Sequence, residues 1–166
     1  MIAVSNTTPV RDLVVIRQQD LLQKLFEKVL IPGAVFEELT DPHTPSVVRA
    51  VVSSYPEWIT VQDVALLSSL PGFDWLHRGE REAIRLAELV RPDFLLLDEQ
   101  AGRKEALRRG LPVTGTLGVL ERGDVLGHIR DFYGVVKELK ASGFFLSPSL
   151  EESLLSRHRK RRFPTS

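Results

Sequence analysis

The sequence predicts one α/β domain built on an open sheet with crossover helices. Short β-branched or aliphatic runs alternate along the chain with longer stretches whose apolar residues have helical spacing. Residues 93–98 form a nearly continuous apolar run, which is typical of a strand covered on both faces. A length of 166 residues and a hydrophobic content of 43% suit a single domain with its own core.

Five short runs predict the strands. These are residues 2–5, 28–31, 59–61, 93–98 and 111–114. After the first strand, Thr8 and Pro9 predict the cap and the first residue of a helix that continues through Ile16. Apolar spacing predicts further helices at residues 19–26, 32–40, 45–52, 79–89, 99–109, 116–121, 128–141 and 149–157. The stretch 68–78, with Pro71 and Gly72, predicts irregular structure.

Composition excludes several classes of protein. The chain has no cysteine, which excludes a disulfide scaffold, a cysteine zinc site and a thiol nucleophile, and which suits a reducing cytoplasm. Its first residues lack the basic and apolar regions of a signal peptide, and no run reaches the roughly 18 apolar residues that a membrane span needs. The expectation is a cytoplasmic protein that does not enter a membrane.

The charges are balanced overall but unevenly distributed. Five of the 22 basic residues lie within residues 157–162, and the rest of the chain carries 17 basic residues against 22 acidic ones. That sign is opposite to the one expected of a generic nucleic-acid-binding surface. We therefore predict a domain over residues 1–156 and a basic, flexible tail over residues 157–166. Such a tail is either a solvated end or an arm that binds phosphates.

The candidate functional residues are polar and acidic. The sequence contains no GxGxxG, GxxxxGKS/T, HExxH or GxSxG motif. Ligands of an open α/β sheet bind beyond the carboxyl ends of its strands, so Asn6 and Asp98 are expected at that edge. Glu80 and Glu38, on neighbouring predicted helices, are expected to lean over it. Oxygen ligands around one cavity are what a hard cation such as Mg²⁺ or Mn²⁺ requires.

Each of these residues also has a purely structural explanation. Asp98 would cap the following helix, and Glu80 would be favoured near a helix N-terminus. Glu38 would be one of several solvated acids, and Asn6 would form an Asx turn. Spacing alone leaves both explanations open.

Six blocks of sequence resemble a bacterial PIN-domain family, the subgroup described as predicted nucleic-acid-binding proteins and related to the toxin ribonucleases of toxin-antitoxin pairs. The resemblance runs in order over about residues 1–155. The blocks are VSNTTP at 4–9, IPGAVFEEL at 31–39, RGEREAIRLA at 78–87, DFLLLDEQAGRKEA at 93–106, LPVTGTLGVL at 111–120 and SGFF at 142–145.

The resemblance implies a three-layer α/β/α sandwich with a mostly parallel sheet and a metal-dependent endoribonuclease site for single-stranded RNA. It implies four positions for the acidic site, which fall on Asn6, Glu38, Glu80 and Asp98, with catalysis assigned to the last three. Glu99 is a further implied metal ligand, and both Glu82 and Glu99 are near enough to act as substitutes. Two more residues are implied to bind substrate: Thr8, the small hydroxyl residue beside the first acid, and Arg103, placed to hold a phosphate.

Asn6 departs from the PIN pattern, which has an acid at this position. Its amide oxygen can still bind a metal, but it brings no negative charge and so binds Mg²⁺ more weakly. Two hypotheses follow: a ribonuclease that relies on Glu38, Glu80, Asp98 and Glu99, or a fold that binds RNA or a protein partner without cutting. Family analogy adds an antitoxin partner and a homodimer. The apolar helix from Val47 to Val52 would serve either a dimer interface or the core.

Overall fold

The computed structural model describes residues 1–64 and 75–164. Over these residues the chain alternates strands and helices, as predicted. In order, the elements are β1 (Ile2–Ser5), α1 (Thr7–Val15), α2 (Asp20–Leu25), β2 (Lys28–Pro32), α3 (Gly33–Leu39), α4 (Ser46–Ser53), β3 (Ile59–Gln62), α5 (Arg78–Val90), β4 (Phe94–Leu96), α6 (Gln100–Arg108), β5 (Val113–Thr114), α7 (Thr116–Val125), α8 (Phe132–Ala141) and α9 (Pro148–Arg162).

The five strands form one parallel sheet in the order β3-β2-β1-β4-β5. Val4 at the centre pairs with Leu30 of β2 on one side and with Leu95 of β4 on the other. The chain first builds outwards from β1 through β2 to β3, and then returns to β4 on the opposite side of β1. The strand order therefore reverses between β1 and β4, which is where open α/β sheets bind ligands.

Helices cover both faces of the sheet. Ala3 and Leu96 face a cluster to which α1, α2, α7 and α8 contribute, whereas Val4 and Leu95 face a cluster formed with α5 and α6. Consecutive strand residues point to opposite faces of the sheet, so the nearly continuous apolar strands are covered by helices on both faces. This confirms the α/β fold class and its layered arrangement of helix, sheet and helix.

Most predicted elements are present, with shifted ends. α1 begins two residues earlier than predicted, so Asn6 occupies the cap position that was assigned to Thr8. α7 continues past Glu121 to Val125. A Cβ at Gly123 would lie 2.8 Å from Leu21 Cδ2, so the glycine lets α2 pack closely against this part of the helix. α8 begins at Phe132 rather than at residue 128, because Asp131 Oδ1 accepts a hydrogen bond from the Gly134 amide at 2.9 Å.

The strand that precedes the candidate acid is shorter than predicted. β4 ends at Leu96, so Asp98 follows the strand by two residues and does not terminate it. Glu99 is the N-cap residue of α6, which starts at Gln100. The predicted irregular stretch 68–78 lies outside the described residues up to residue 74, and α5 starts at Arg78.

The basic residues predicted to form a flexible tail are helical as far as Arg162. They pair with acids on α7: Arg157 Nε lies 2.5 Å from Glu121 Oε1, and Arg161 Nη2 lies 2.7 Å from Asp124 Oδ2. The side chains of Arg157 and Arg161 are four residues apart and so share one face of α9. Acidic side chains of α7 therefore stabilise this part of α9. The basic sequence alone does not show that these partners are present.

In α4, Val48 and Val52 are fully buried, which places that side of the helix in the core. Within the part of the chain that is described, we find no helix with the length and apolarity needed to cross a bilayer.

Candidate functional site

A cavity of about 520 Å³ lies at the carboxyl edge of the sheet, where the strand order reverses. The backbone amide of Asn6, directly after β1, donates to the Leu96 carbonyl at 3.0 Å, and this bond joins the ends of β1 and β4. The side chains around this central cavity include those of four residues predicted as metal ligands, namely Asn6, Glu38, Glu80 and Glu99. The structure thus brings together candidates that are as far apart in sequence as residues 6 and 99.

Asn6 and Thr8 hold the carboxylate of Glu99. Asn6 Nδ2 donates to Glu99 Oε2 at 3.2 Å, and Thr8 Oγ1 donates to Glu99 Oε1 at 2.5 Å. Asn6 is 4% exposed, and its Oδ1 is buried without a hydrogen-bond partner among the described residues. Buried polar atoms are rarely left unpaired, so this oxygen is available to a ligand.

Glu38, on α3, also lines the central cavity beside Asn6. Its Oε2 accepts a hydrogen bond from Thr7 Oγ1, which fixes the side chain over the start of α1. A Cβ added at Gly79 would lie 2.8 Å from Glu38 Oε1 and 3.2 Å from Asn6 Oδ1. Two oxygens of the cavity therefore converge beside the first turn of α5, and the lack of a side chain at Gly79 leaves them room.

Glu80 combines its predicted structural role with a place in the cavity. Its Oε2 accepts a hydrogen bond from the His77 amide at 3.0 Å, as expected of an acid in the first turn of a helix. Burial raises the pKa of Glu80, and the nearby Glu99 and Glu38 carboxylates raise it further. The Glu99 and Glu38 carboxylates therefore lie close enough to Glu80 to oppose its ionisation.

Asp98 lines a neighbouring cavity instead, of about 400 Å³. Both of its oxygens accept hydrogen bonds from Thr116 at the start of α7, Oδ1 from the amide at 2.8 Å and Oδ2 from Oγ1 at 2.6 Å. Burial raises the pKa of Asp98 despite these bonds, with smaller contributions from Asp12 and Glu99. Asp98 thus stabilises the N-terminus of a helix, as its structural explanation predicts, but that helix is α7 and not α6.

Two other residues singled out from the sequence lie away from the central cavity. Arg103 lines the same neighbouring cavity as Asp98, and its Nη1 donates to the Leu97 carbonyl at 2.8 Å. Glu82 is buried, accepts a hydrogen bond from the Ala34 amide at 3.1 Å and pairs with Arg78. Glu82 therefore satisfies the N-terminus of α3 and does not substitute for a cavity acid.

Sequence reasoning missed Arg11 and Asp12. Arg11 lines the central cavity, and buried Asp12 lies beside it with an Nε to Oδ1 distance of 3.0 Å. Burial raises the pKa of Asp12, and the Glu99 carboxylate adds to this shift. Both residues follow Thr8 by one helical turn, at i+3 and i+4, so the spacing along α1 was a signal for them.

The donor set suits a hard divalent cation. Carboxylates and an amide oxygen are the ligands such ions prefer, and the unpartnered Asn6 Oδ1 lies where Glu38 Oε1 also converges. Among the described residues, no group of three or more histidine, cysteine, aspartate or glutamate side chains is already gathered around one point. Mg²⁺ usually keeps several waters and uses only one or two protein carboxylates, so this arrangement fits it.

Comparison with known proteins identifies the family of this chain. No curated protein matches the chain. A family model described as a PIN domain matches residues 2–160. That match covers nearly the whole chain, including every residue of the central cavity, and the parallel sheet is consistent with it. PIN domains have a nuclease-type fold and generally use divalent metal ions. On these grounds, the chain belongs to the PIN-domain family.

Proposed function

We propose that this chain is an endoribonuclease that cuts single-stranded RNA with Mg²⁺ or Mn²⁺ held in the central cavity. The observation that carries the proposal is the unpartnered, buried oxygen of Asn6, placed beside Glu38 in a cavity that Glu80 and Glu99 also line. When bound, the ion would activate a water and stabilise charge on the phosphodiester.

The protein side of this mechanism is a set of positioned oxygens. Thr7 and Thr8 orient Glu38 and Glu99 through hydroxyl donors, so these carboxylates enter the cavity in fixed directions. Burial and neighbouring charges raise the pKa of Glu80, and a bound cation would favour its charged form. Arg103, in the neighbouring cavity, is placed to bind a phosphate of the RNA.

We assign the fourth ligand position to Glu99 rather than to Asp98. Asp98 lines the neighbouring cavity, where it holds the start of α7 through Thr116, whereas Glu99 lines the central cavity together with Asn6. Three carboxylates then remain around the cavity, from Glu38, Glu80 and Glu99, although the usual first acid is an amide.

Two isosteric variants of adjacent residues test this assignment. We expect Glu99→Gln to weaken Mn²⁺ binding in calorimetric titration at least tenfold and to abolish cleavage of single-stranded RNA. Asp98→Asn should keep Mn²⁺ affinity close to wild type, because an asparagine can still accept from the Thr116 amide and donate to its hydroxyl. Loss of binding in Asp98→Asn with full binding in Glu99→Gln would reverse the assignment.

A second candidate function is binding of RNA or of a protein partner without turnover, and the uncharged amide of Asn6 is the observation that favours it. The same titration separates the two, because a wild-type chain that binds neither Mn²⁺ nor Mg²⁺ is the non-cutting form.

A role as the toxin of a toxin-antitoxin pair, with an antitoxin partner, a homodimer and a cytoplasmic location, extends the first proposal. Light scattering on the purified chain tests the dimer. Growth arrest on expression, relieved by a co-expressed antitoxin, tests the toxin role.

A further inference from the structure

Phe145 is the most exposed large hydrophobic side chain of the described residues, at 87%. It lies in the segment between α8 and α9, two residues after Gly143, whose φ of +97° turns the chain out of α8. Its neighbour Phe144 packs partly against the core. The pair therefore has one ring anchored in the protein and one ring standing in solvent.

The position of Phe145 relates it to the central cavity. Thr8 and Arg11 line both the central cavity and a second cavity of about 330 Å³. Phe144 and Phe145 line that second cavity and also the third one, of about 400 Å³, which holds Arg103. The second cavity thus shares residues with each of the other two, and the exposed ring lies between the second and the third.

Cationic side chains lie on both sides of this ring. Arg11 is in the first two cavities and pairs with Asp12 through Nε. Arg103 is in the third cavity, forms no ion pair with any described residue and uses Nη1 to bind the Leu97 carbonyl. Arg103 therefore forms no direct ion pair, although Asp98 and Glu121 line the same cavity.

An exposed ring between guanidinium groups, in a continuous concave path, is how proteins hold single-stranded nucleic acids without reading sequence. Bases of a duplex are already stacked on one another and do not offer their faces. A protein partner would use the ring and the adjoining apolar surface but would have no need for the guanidinium of Arg103.

We propose that Phe145 is a stacking platform for one base of a single-stranded RNA that lies along the three cavities, with Arg103 contacting a nearby phosphate. The inference rests on the proposed function and states how its substrate is held. Base stacking on an aromatic ring tolerates any sequence, so Phe145 would supply affinity rather than choice of cleavage site.

Fluorescence anisotropy of a labelled, mixed-sequence RNA 12-mer, titrated with the full chain in EDTA, tests the proposal without cleavage. We expect Phe145→Ala to weaken binding about tenfold, the usual effect of losing one stacked base, and Phe145→Trp to keep it. Phe163→Ala is the matched control, because Phe163 is 76% exposed at the end of α9 and should leave affinity unchanged. The duplex form of the same RNA should bind equally to wild type and Phe145→Ala.

An RNA with abasic positions across its centre provides the stricter comparison. It should bind more weakly to the wild type and should no longer distinguish wild type from Phe145→Ala, because the ring then has no base to contact. Equal affinity of wild type and Phe145→Ala for the intact RNA would overturn the inference, as would an absence of RNA binding in the wild type.

These results are independent of turnover. A chain that binds RNA through Phe145 but neither binds Mn²⁺ nor cuts would contradict the proposed ribonuclease and leave the platform standing. A chain that cuts RNA with unchanged affinity in Phe145→Ala would do the reverse, and would direct attention to a protein partner for this surface.

Discussion

Asn6→Asp is the substitution whose outcome depends most directly on the geometry of the central cavity. In the wild type, Asn6 Nδ2 donates to Glu99 Oε2 at 3.2 Å. Replacing the amide by a carboxylate removes this donor and sets a second negative charge against Glu99 in a buried position. Without a cation, the two carboxylates should repel each other.

The size of the repulsion follows from the separation. Two unit charges about 4 Å apart, at an effective dielectric constant of about 20, interact by about 4 kcal/mol. For a chain of this size, that corresponds to a decrease in Tm of roughly 8 to 16 °C. The repulsion raises the pKa of one carboxyl in the folded state, so the destabilisation is small in acid and grows as the pH rises through that pKa.

Thermal unfolding in EDTA at pH 5 and pH 7.5 measures this effect. We expect the Tm of Asn6→Asp to fall below that of the wild type at pH 7.5 and to recover partly at pH 5. The double variant Asn6→Asp/Glu99→Gln should recover most of the loss at pH 7.5, because it removes the opposing charge. Mn²⁺ should raise the Tm of the single variant more than that of the wild type, because an additional carboxylate increases affinity for the folded state.

Two results would refute the reasoning. An unchanged Tm in EDTA at pH 7.5 would mean that residues 6 and 99 do not face each other in solution. A lowered Tm that Mn²⁺ fails to restore would mean that the two side chains meet but do not share an ion.

Three further predictions concern how the site is supported. Gly115→Ala should destabilise the fold by about 1 to 3 kcal/mol in urea unfolding, because the added Cβ would overlap the side chain of Asp98, which holds α7. Gly33→Ala is the control and should be neutral or stabilising, since nothing lies within 4 Å of a Cβ at that position. Equal effects of the two substitutions would contradict this packing. Deleting residues 157–166 should lower the free energy of unfolding by about 3 to 5 kcal/mol, because it leaves the buried Asp124 carboxylate without its partners His158 and Arg161. A truncated chain with the Tm of the wild type would show that α9 does not pack on α7 in solution. Hydrogen bonds from Arg108, at the end of α6, and from the C-cap residue Arg109 lower the pKa of Glu105 to about 2. This stabilisation is present above the ordinary pKa and is lost as the pH falls towards 2, so Glu105→Gln should cost about 1 kcal/mol at pH 7 and little at pH 2. A cost that does not change with pH would exclude an electrostatic origin.

Local sequence patterns were enough to predict an open α/β sheet with crossover helices. Strand-length apolar runs and helical spacing both depend on which faces are buried. Burial on both faces of the sheet makes the inner strands β1, β2 and β4 nearly continuously apolar. The order of strands in the sheet did not follow from these patterns, because neighbouring elements in sequence need not be neighbours in space. The reversal between β1 and β4 is nevertheless what makes the central cavity.

The candidate site divides in the same way. Asn6 could be placed by sequence because it follows a strand directly, and the carboxyl ends of parallel strands meet at one edge. The choice between Asp98 and Glu99 could not be made, because adjacent residues have the same local spacing. Their directions are set by donors distant in sequence, Thr116 for Asp98 and Asn6 with Thr8 for Glu99.

The same distinction applies to the C-terminal basic residues. Their charge and position were visible in the sequence, but their partners on α7 lie more than 30 residues earlier and meet them only after folding. Sequence by itself determined which elements form and which polar residues reach the sheet edge, since both depend on neighbours along the chain. Only the tertiary structure decided which carboxylates share a cavity, because that depends on hydrogen-bond donors brought from other elements.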